Sequence, residues 1–440
     1  MRINFVPHEP KPRTHEGAPA TATSPINLLQ RSVLSCMLWE DTFYEDGVSI
    51  ATRINKLVTL CEPNAVQALA RQARGEYNLR HAPLHLIVAL IRAGKTNARF
   101  REGLRETIAD VIQRPDELAE LLALYWNPKK VPLTKQLQRG LGDAFPKFNA
   151  YSLAKYNQDN PIKLRDVLFL SHAKPKDAEQ AEIWQQLING TLPIPNTWEV
   201  RLSEAHTASE KRAVWESLLR ENALGAMALI RNLRNMEKVD VNENLIRNAM
   251  LSAKTDRVLP FRFITASRYS KNFKRELEKM MLKCLEGTEQ LKGNTIILVD
   301  VSGSMDVALS AKSEMLRWEA AGGLAILAKA VFPKSQIHTF SHQTVRVHGD
   351  GFELIENIGK SQQHGGTYLG KAMKDIPTAD RVIVITDEQS SDSVDWNRFG
   401  MTYVINVAPY KQGISYHSNV IHLDGFSDAV IRWIGKFEAL

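Results

Sequence analysis

The sequence predicts a multidomain protein. An all-α array of short helices spans residues 26–290, and an α/β domain with a parallel sheet spans residues 291–440. Three observations carry that prediction. Apolar residues recur at helical spacing as far as about residue 290. Beyond it, short β-branched runs alternate with helical stretches, the pattern of a parallel sheet covered on both faces. The charge balance reverses at the same place. Residues 291–440 carry 14 Lys and Arg against 16 Asp and Glu, which leaves 42 basic and 33 acidic side chains for residues 1–290.

The first 25 residues, MRINFVPHEPKPRTHEGAPATATSP, are rich in Pro, Thr and Ala. They lack the apolar core of a signal peptide and read as a flexible arm. Helical patterning follows. In NPIKLRDVLFLSHA, Asn160 is placed to cap a helix with Pro161 at its first position. Leu164, Val167, Leu168 and Ser171 then share one face. EKRAVWESLLREN aligns Trp215, Leu218 and Leu219. LGAMALIRNLRNMEK aligns Met227, Ile230, Leu233 and Met236. Gly, Pro and Asn interrupt at short intervals, so the helices are short and joined by brief turns. Many such helices in succession suit a solenoid of antiparallel helix pairs.

After CLEGTEQLKGN, the expected domain boundary, the runs NTIILVD, SQIHTFS, RVIVITD, MTYVINVA and SNVIHLD read as strands. EMLRWEAAGGLAILAKAVF and the final FSDAVIRWIGKFEAL read as helices between and after them.

Composition narrows the setting. No apolar run approaches the ~20 residues that span a bilayer. Cys36, Cys61 and Cys284 lie far apart and form no CxxC pair, so each reads as a small buried apolar residue in a reducing, cytoplasmic setting. The net charge of +7 is carried by the N-terminal two-thirds. That points to a polyanionic partner there, or to a solvated basic surface.

The run IILVDVSGSM locates a candidate site. Ligand sites of such sheets lie at the carboxyl ends of the strands. Asp300 ends the first strand, Ser302 and Ser304 follow in the turn, and Gly303 lets the backbone bend. A carboxylate and two hydroxyls are hard oxygen donors that suit Mg²⁺, which takes six oxygens at ~2.1 Å and readily keeps waters. HGGTYLG offers Thr367 in a glycine-bounded loop. RVIVITDEQ offers Asp387 at another strand end.

Three other motifs carry less. GGTYLGKA matches the start of a P-loop, but Ala372 stands where Mg²⁺ would need a hydroxyl and no clear strand precedes it. RHAPLH spaces His81 and His85 by four, without the Glu of HExxH and with Pro83 between them, which favours a surface or capping role over zinc. No GxSxG surrounds Ser302 or Ser304.

Asp300, Ser302 and Ser304, then Thr367, then Asp387 resemble the metal-ion-dependent adhesion site of the von Willebrand factor A domain. The resemblance implies direct ligation by the serines and Thr367, and ligation by the aspartates directly or through water. It also implies one open position for a partner's carboxylate or phosphate oxygen.

LGAMALIRNLRNMEK, KLRDVLFLSHAKPK and VLPFRFITASRYS resemble segments of the TROVE module of the Ro autoantigen family, in a bacterial or phage-type version. The resemblance covers nearly the whole chain. It implies a ring of HEAT-like helical repeats closed by a C-terminal A domain. It further implies a noncatalytic, monomeric protein that binds Y-type RNA on a basic outer surface. Single-stranded 3′ ends of misfolded RNA would enter a central hole, and an exoribonuclease would share in RNA quality control. By the same resemblance Lys155 and His172 match positions on the Y RNA surface.

The basic residues suit that expectation. Arg231, Arg234 and Lys238 recur at i, i+3 and i+7, one stripe on a helix. Lys163 and Arg165 lie on the segment that ends at His172, and Lys129, Lys130, Lys135 and Arg139 fall in NPKKVPLTKQLQRG. Such residues bind phosphates with little choice of sequence. Tyr151 and Tyr156 could stack unpaired bases. Two rivals remain open on the residues alone. One is an adaptor whose metal site grips a partner's acidic side chain. The other is a metal-dependent phosphodiesterase, which lacks the second metal cluster or general base such chemistry usually needs.

Overall fold

The computed structural model describes residues 24–34, 47–309, 313–408 and 420–438. Nearly all of the expected N-terminal arm, and Cys36, lie outside the described residues. The chain forms two compact units. One comprises residues 51–258 and 269–276; the other comprises the described residues within 1–50, 259–268 and 277–440. Residues 259–268 and 277–290 thus group with the sheet, ahead of the change in composition near residue 290.

The first unit is all-helical. Successive helices pack on their neighbours and on the next helix but one. Pro63–Gly75 packs on His81–Thr96 and on Leu104–Val111, which in turn packs on Lys135–Ala144 and that on Leu164–Ser171. This stacking is what a helical repeat requires, because each pair buries its apolar face only against the next. Gly140 permits one of these contacts. A Cβ there would lie 2.6 Å from Cβ of Ile108, so only glycine lets the two helices approach.

The expected helix faces are buried. Leu164, Val167, Leu168 and Ser171 face inward, as do Trp215, Leu218 and Leu219. Two details differ from expectation. The helix of NPIKLRDVLFLSHA starts at Leu164, with Lys163 rather than Asn160 at the capping position. The reason is local: the Asp166 carboxylate accepts the Lys163 N–H at 2.9 Å and closes the first turn there. In helix Ala226–Lys238, Leu229 joins Ile230, Leu233 and Met236 in the core, while Met227 is only half-buried.

One buried carboxylate of this unit is fully paired. Glu117 is fully buried. It accepts from Arg74 Nη2 at 2.8 Å and from the backbone N–H groups of Gln113 and Arg114 at 2.8 and 3.0 Å.

The second unit is built on a six-stranded sheet: β1 Thr295–Asp300, β2 Ser335–Phe340, β3 Thr344–Val347, β4 Arg381–Thr386, β5 Met401–Asn406 and β6 Val420–Asp424. The order is β3-β2-β1-β4-β5-β6. All pairs are parallel except β2 with β3. The five expected strands form, and β3 is an addition. Every residue of β1 and β4 is buried, as continuous apolar strands of a covered sheet should be. On one face Ile296, Leu298, Val382, Val384 and Val404 pack with Leu369, Met373, Trp396 and Phe399. The alternate residues face the other way, where helix Arg317–Val331 packs on β1 and β4. Helix Asp428–Glu438 is tied back to the sheet. Arg381 Nε donates to the Glu438 carboxylate at 2.6 Å and Tyr403 Oη at 2.8 Å. No described helix is long and apolar enough to cross a membrane.

Candidate metal centre and nucleic-acid interface

The strand order places the carboxyl ends of β1 and β4 side by side, with Asp300 at the end of β1 and Asp387 one residue beyond β4. Both carboxylates are fully buried. Asp300 Oδ1 accepts the Ser302 N–H at 2.8 Å, which turns the chain sharply after the strand. Its Oδ2 accepts from Thr386 Oγ1 at 2.6 Å. Burial, and then the negative charge of Asp387, push the Asp300 carboxyl up to about 7. The two aspartates are therefore close enough to feel one another in a dry setting, an arrangement that calls for a cation.

Hydrogen bonds tie together the loops that carry the remaining candidate oxygens. Ser302 Oγ and Ser304 Oγ lie 3.2 Å apart. The Gly303 N–H donates to the Gly365 carbonyl at 2.8 Å, which joins the serine turn to the glycine loop that carries Thr367. Thr367 is buried. Its carbonyl accepts from the N–H of Ser391 at 2.9 Å and from its hydroxyl at 2.6 Å, which joins that loop to the segment after Asp387. Glycine at 365 leaves room for the His342 ring, since a Cβ there would meet His342 Nε2 at 2.0 Å and the ring would have to move. The donor set is two carboxylates and three hydroxyls, with neither sulfur nor imidazole among them. That chemistry fits a hard divalent cation such as Mg²⁺ rather than zinc.

Sequence reasoning missed two contributors. Thr386 orients Asp300, as described. Arg317, the first residue of its helix, is completely buried. Its Nη1 donates to the Ser304 carbonyl at 3.1 Å and to Asp387 Oδ2 at 3.3 Å. A charged residue heading the apolar run WEAAGGLAILAKAV was the available signal.

The decoys resolve on geometry. In GGTYLGKA the N–H groups of Gly370 and Lys371, the ones a P-loop would aim at phosphate, both donate to the Asp392 carboxylate at 2.8 Å. Lys371 Nζ donates to the His342 carbonyl at 3.0 Å. His81 Nδ1 lies 2.6 Å from Glu120 on a half-exposed surface. His85 is buried with Nε2 3.3 Å from the Ala51 carbonyl, and burial depresses it to about 4. Among the described residues no three His, Cys, Asp or Glu side chains form a metal cluster. Cys61 and Cys284 are buried, and burial raises both thiols.

The RNA candidates all lie in the helical unit. Arg231, Arg234 and Lys238 are exposed along helix Ala226–Lys238, opposite its buried face, and none of the three forms an ion pair among the described residues. Lys129, Lys130, Lys135, Arg139, Lys155 and Arg165 are likewise exposed without an ion pair among the described residues. Aromatic rings lie beside two of them. Lys130 Nζ sits 4.5 Å from the Trp126 ring centre, and Lys155 Nζ sits 5.9 Å from both Tyr151 and Tyr156. Tyr151 is half-exposed, while Tyr156 also carries Arg114 at 4.6 Å over its ring. Lys163 differs, being held by Asp159 at 2.8 Å. His172 ends its helix in the left-handed region at φ 52° with its side chain exposed.

Comparison with known proteins agrees with the resemblance read from the sequence. Residues 184–319 match the family model of the TROVE domain. That stretch contains Arg231, Arg234, Lys238, Asp300, Ser302, Ser304 and Arg317. It begins after Lys129–His172 and ends before Thr367 and Asp387. The fold is similar to the crystal structure of the Deinococcus radiodurans RO (RSR) protein, with a TM-score of 0.60 at 16% sequence identity. The match covers 94% of this chain and 100% of that one.

Proposed function

We propose that this chain is a noncatalytic RNA-binding protein of the Ro type. It binds small noncoding, Y-type RNA on the basic outer surface of its helical unit. It takes single-stranded 3′ ends of misfolded or structured RNA into the central hole that the Ro resemblance implies. It acts as a cytoplasmic monomer and hands such ends to an exoribonuclease in RNA quality control. One observation carries the reading. Three cations with no ion pair among the described residues, Arg231, Arg234 and Lys238, line an exposed helix face inside the TROVE-matched stretch. Cations with no carboxylate beside them are the ones a phosphate backbone can claim without first breaking an ion pair.

The oxygens of Asp300, Ser302, Ser304, Thr367 and Asp387 would hold Mg²⁺ in the second unit. When bound, the ion supplies a Lewis-acidic position for an anionic oxygen of a partner. Thr386 and the Ser302 N–H hold Asp300 in place for that task.

The test is binding of a structured RNA with a single-stranded 3′ tail at several salt concentrations, with a blunt duplex as control. Tail-dependent, salt-sensitive binding without cleavage is expected. Absence of binding at low salt refutes the reading and leaves a protein partner for the metal site. Cleavage that disappears in Asp387→Ala would make the chain an enzyme.

A further inference from the structure

We propose that Arg317 is a built-in counter-charge of the metal site. It holds the Asp300–Asp387 arrangement together without a divalent ion and weakens the affinity for that ion. The inference rests on the metal-site reading above and goes beyond it, because it concerns a residue outside the five-oxygen pattern.

The position of Arg317 carries the argument. It is the largest fully buried side chain among the described residues and opens a helix that is otherwise almost entirely apolar. One nitrogen, Nη1, reaches both the Ser304 carbonyl and Asp387 Oδ2. That single group therefore spans from the serine turn after β1 to the aspartate after β4, the same two segments that a bound cation would join. Two carboxylates enclosed away from water repel each other strongly unless a positive charge accompanies them. A fixed guanidinium supplies one such charge permanently. An incoming divalent ion then meets a pair whose net charge is −1 rather than −2, and it is also repelled by the guanidinium. Serine and threonine oxygens cannot make up that difference, since they are neutral.

The full chain is titrated with Mn²⁺ as wild type and as Arg317→Met. Both are also melted in EDTA and in saturating Mn²⁺. At one Mn²⁺ concentration that saturates both proteins, wild type should rise in melting temperature by less than Arg317→Met, because it binds the ion more weakly. Arg317→Met should melt lower in EDTA, recover in Mn²⁺, and bind Mn²⁺ about tenfold or more tightly. Equal Mn²⁺ affinity in the two proteins, or a melting loss that Mn²⁺ does not relieve, would overturn the proposal and leave Arg317 a packing residue. If Arg317→Met does not fold, Arg317→Lys decides the matter. It keeps the charge, so an affinity within about threefold of wild type supports the proposal, and a tenfold gain overturns it. Failure of the underlying reading looks different. In that case neither wild type nor Arg317→Met takes up Mn²⁺, and Asp300→Ala changes nothing in the same titration.

Discussion

The stripe on helix Ala226–Lys238 makes a quantitative claim about salt. Arg231, Arg234 and Lys238 fall within about 60° of arc and span about 10 Å along the helix axis. All three are exposed and carry no ion pair among the described residues. Each phosphate neutralised by such a side chain adds about 0.7 to 0.9 to the slope of log K against log salt. Changing all three to Gln should therefore lower the slope by roughly 2 to 3. Between 50 and 200 mM salt, that removes roughly 15- to 60-fold of the affinity change seen in the wild type. The assay is fluorescence anisotropy with a labelled, tailed RNA across that salt range. The control is built into a neighbouring helix. Arg212 and Arg220 both pair with Glu216, at 3.2 and 2.9 Å, so their conversion to Gln should alter the slope by less than 1. If the paired arginines move the slope as much as the stripe does, net charge rather than the stripe binds RNA, and the reasoning fails.

Three further outcomes follow from the packing. His85 is buried and depressed to about 4 against an ordinary 6.5, so the unfolded chain takes up a proton before the folded one does. Its contribution is present above pH 6.5 and is lost as pH falls toward 4. Roughly 3 kcal/mol is at stake, and His85→Gln should flatten that part of a plot of melting temperature against pH. Glu117→Ala leaves Arg74 buried without its partner and should cost about 3–5 kcal/mol in urea unfolding. A loss below 1 kcal/mol would show that water reaches Arg74. Gly140→Ala forces the helices around Ile108 apart and should lower stability by about 1–3 kcal/mol despite alanine's better helix propensity. A rise in melting temperature would show that the helices separate freely.

Much of this was legible in the sequence because it rests on local rules. The switch of period near residue 290 follows from how helices and covered strands bury their apolar residues. All five long β-branched runs became strands. The oxygens sit at strand ends because parallel strands all present their carboxyl ends on one edge of the sheet. The parts that were not legible depend on partners remote in the chain. β3, the short run TVRV, is a strand only because β2 offers it an edge. Lys163 outcompetes Asn160 as a cap because of a carboxylate on the other side of it. Residues 260–268 read as one more stretch of the helical array, yet Ile264 packs against Gly323 in the sheet unit.

Arg317 shows why burial and pairing alone do not mark a site. The helical unit has its own buried ion pair, Arg74 with Glu117. There the carboxylate is surrounded by N–H donors, from the guanidinium and from the backbone of Gln113 and Arg114. An N–H has nothing to offer a cation, so that pair is closed and structural. Asp300 instead stands among the hydroxyls of Ser302, Ser304 and Thr386, with a second carboxylate near enough to raise its own proton affinity. A hydroxyl oxygen keeps lone pairs even while its hydrogen is engaged. Such a cluster can therefore turn toward a metal ion without losing its internal hydrogen bonds. The difference between the two buried pairs lies in the chemistry of the atoms around them, and that chemistry is written in the residue types of DVSGSM and ITDE.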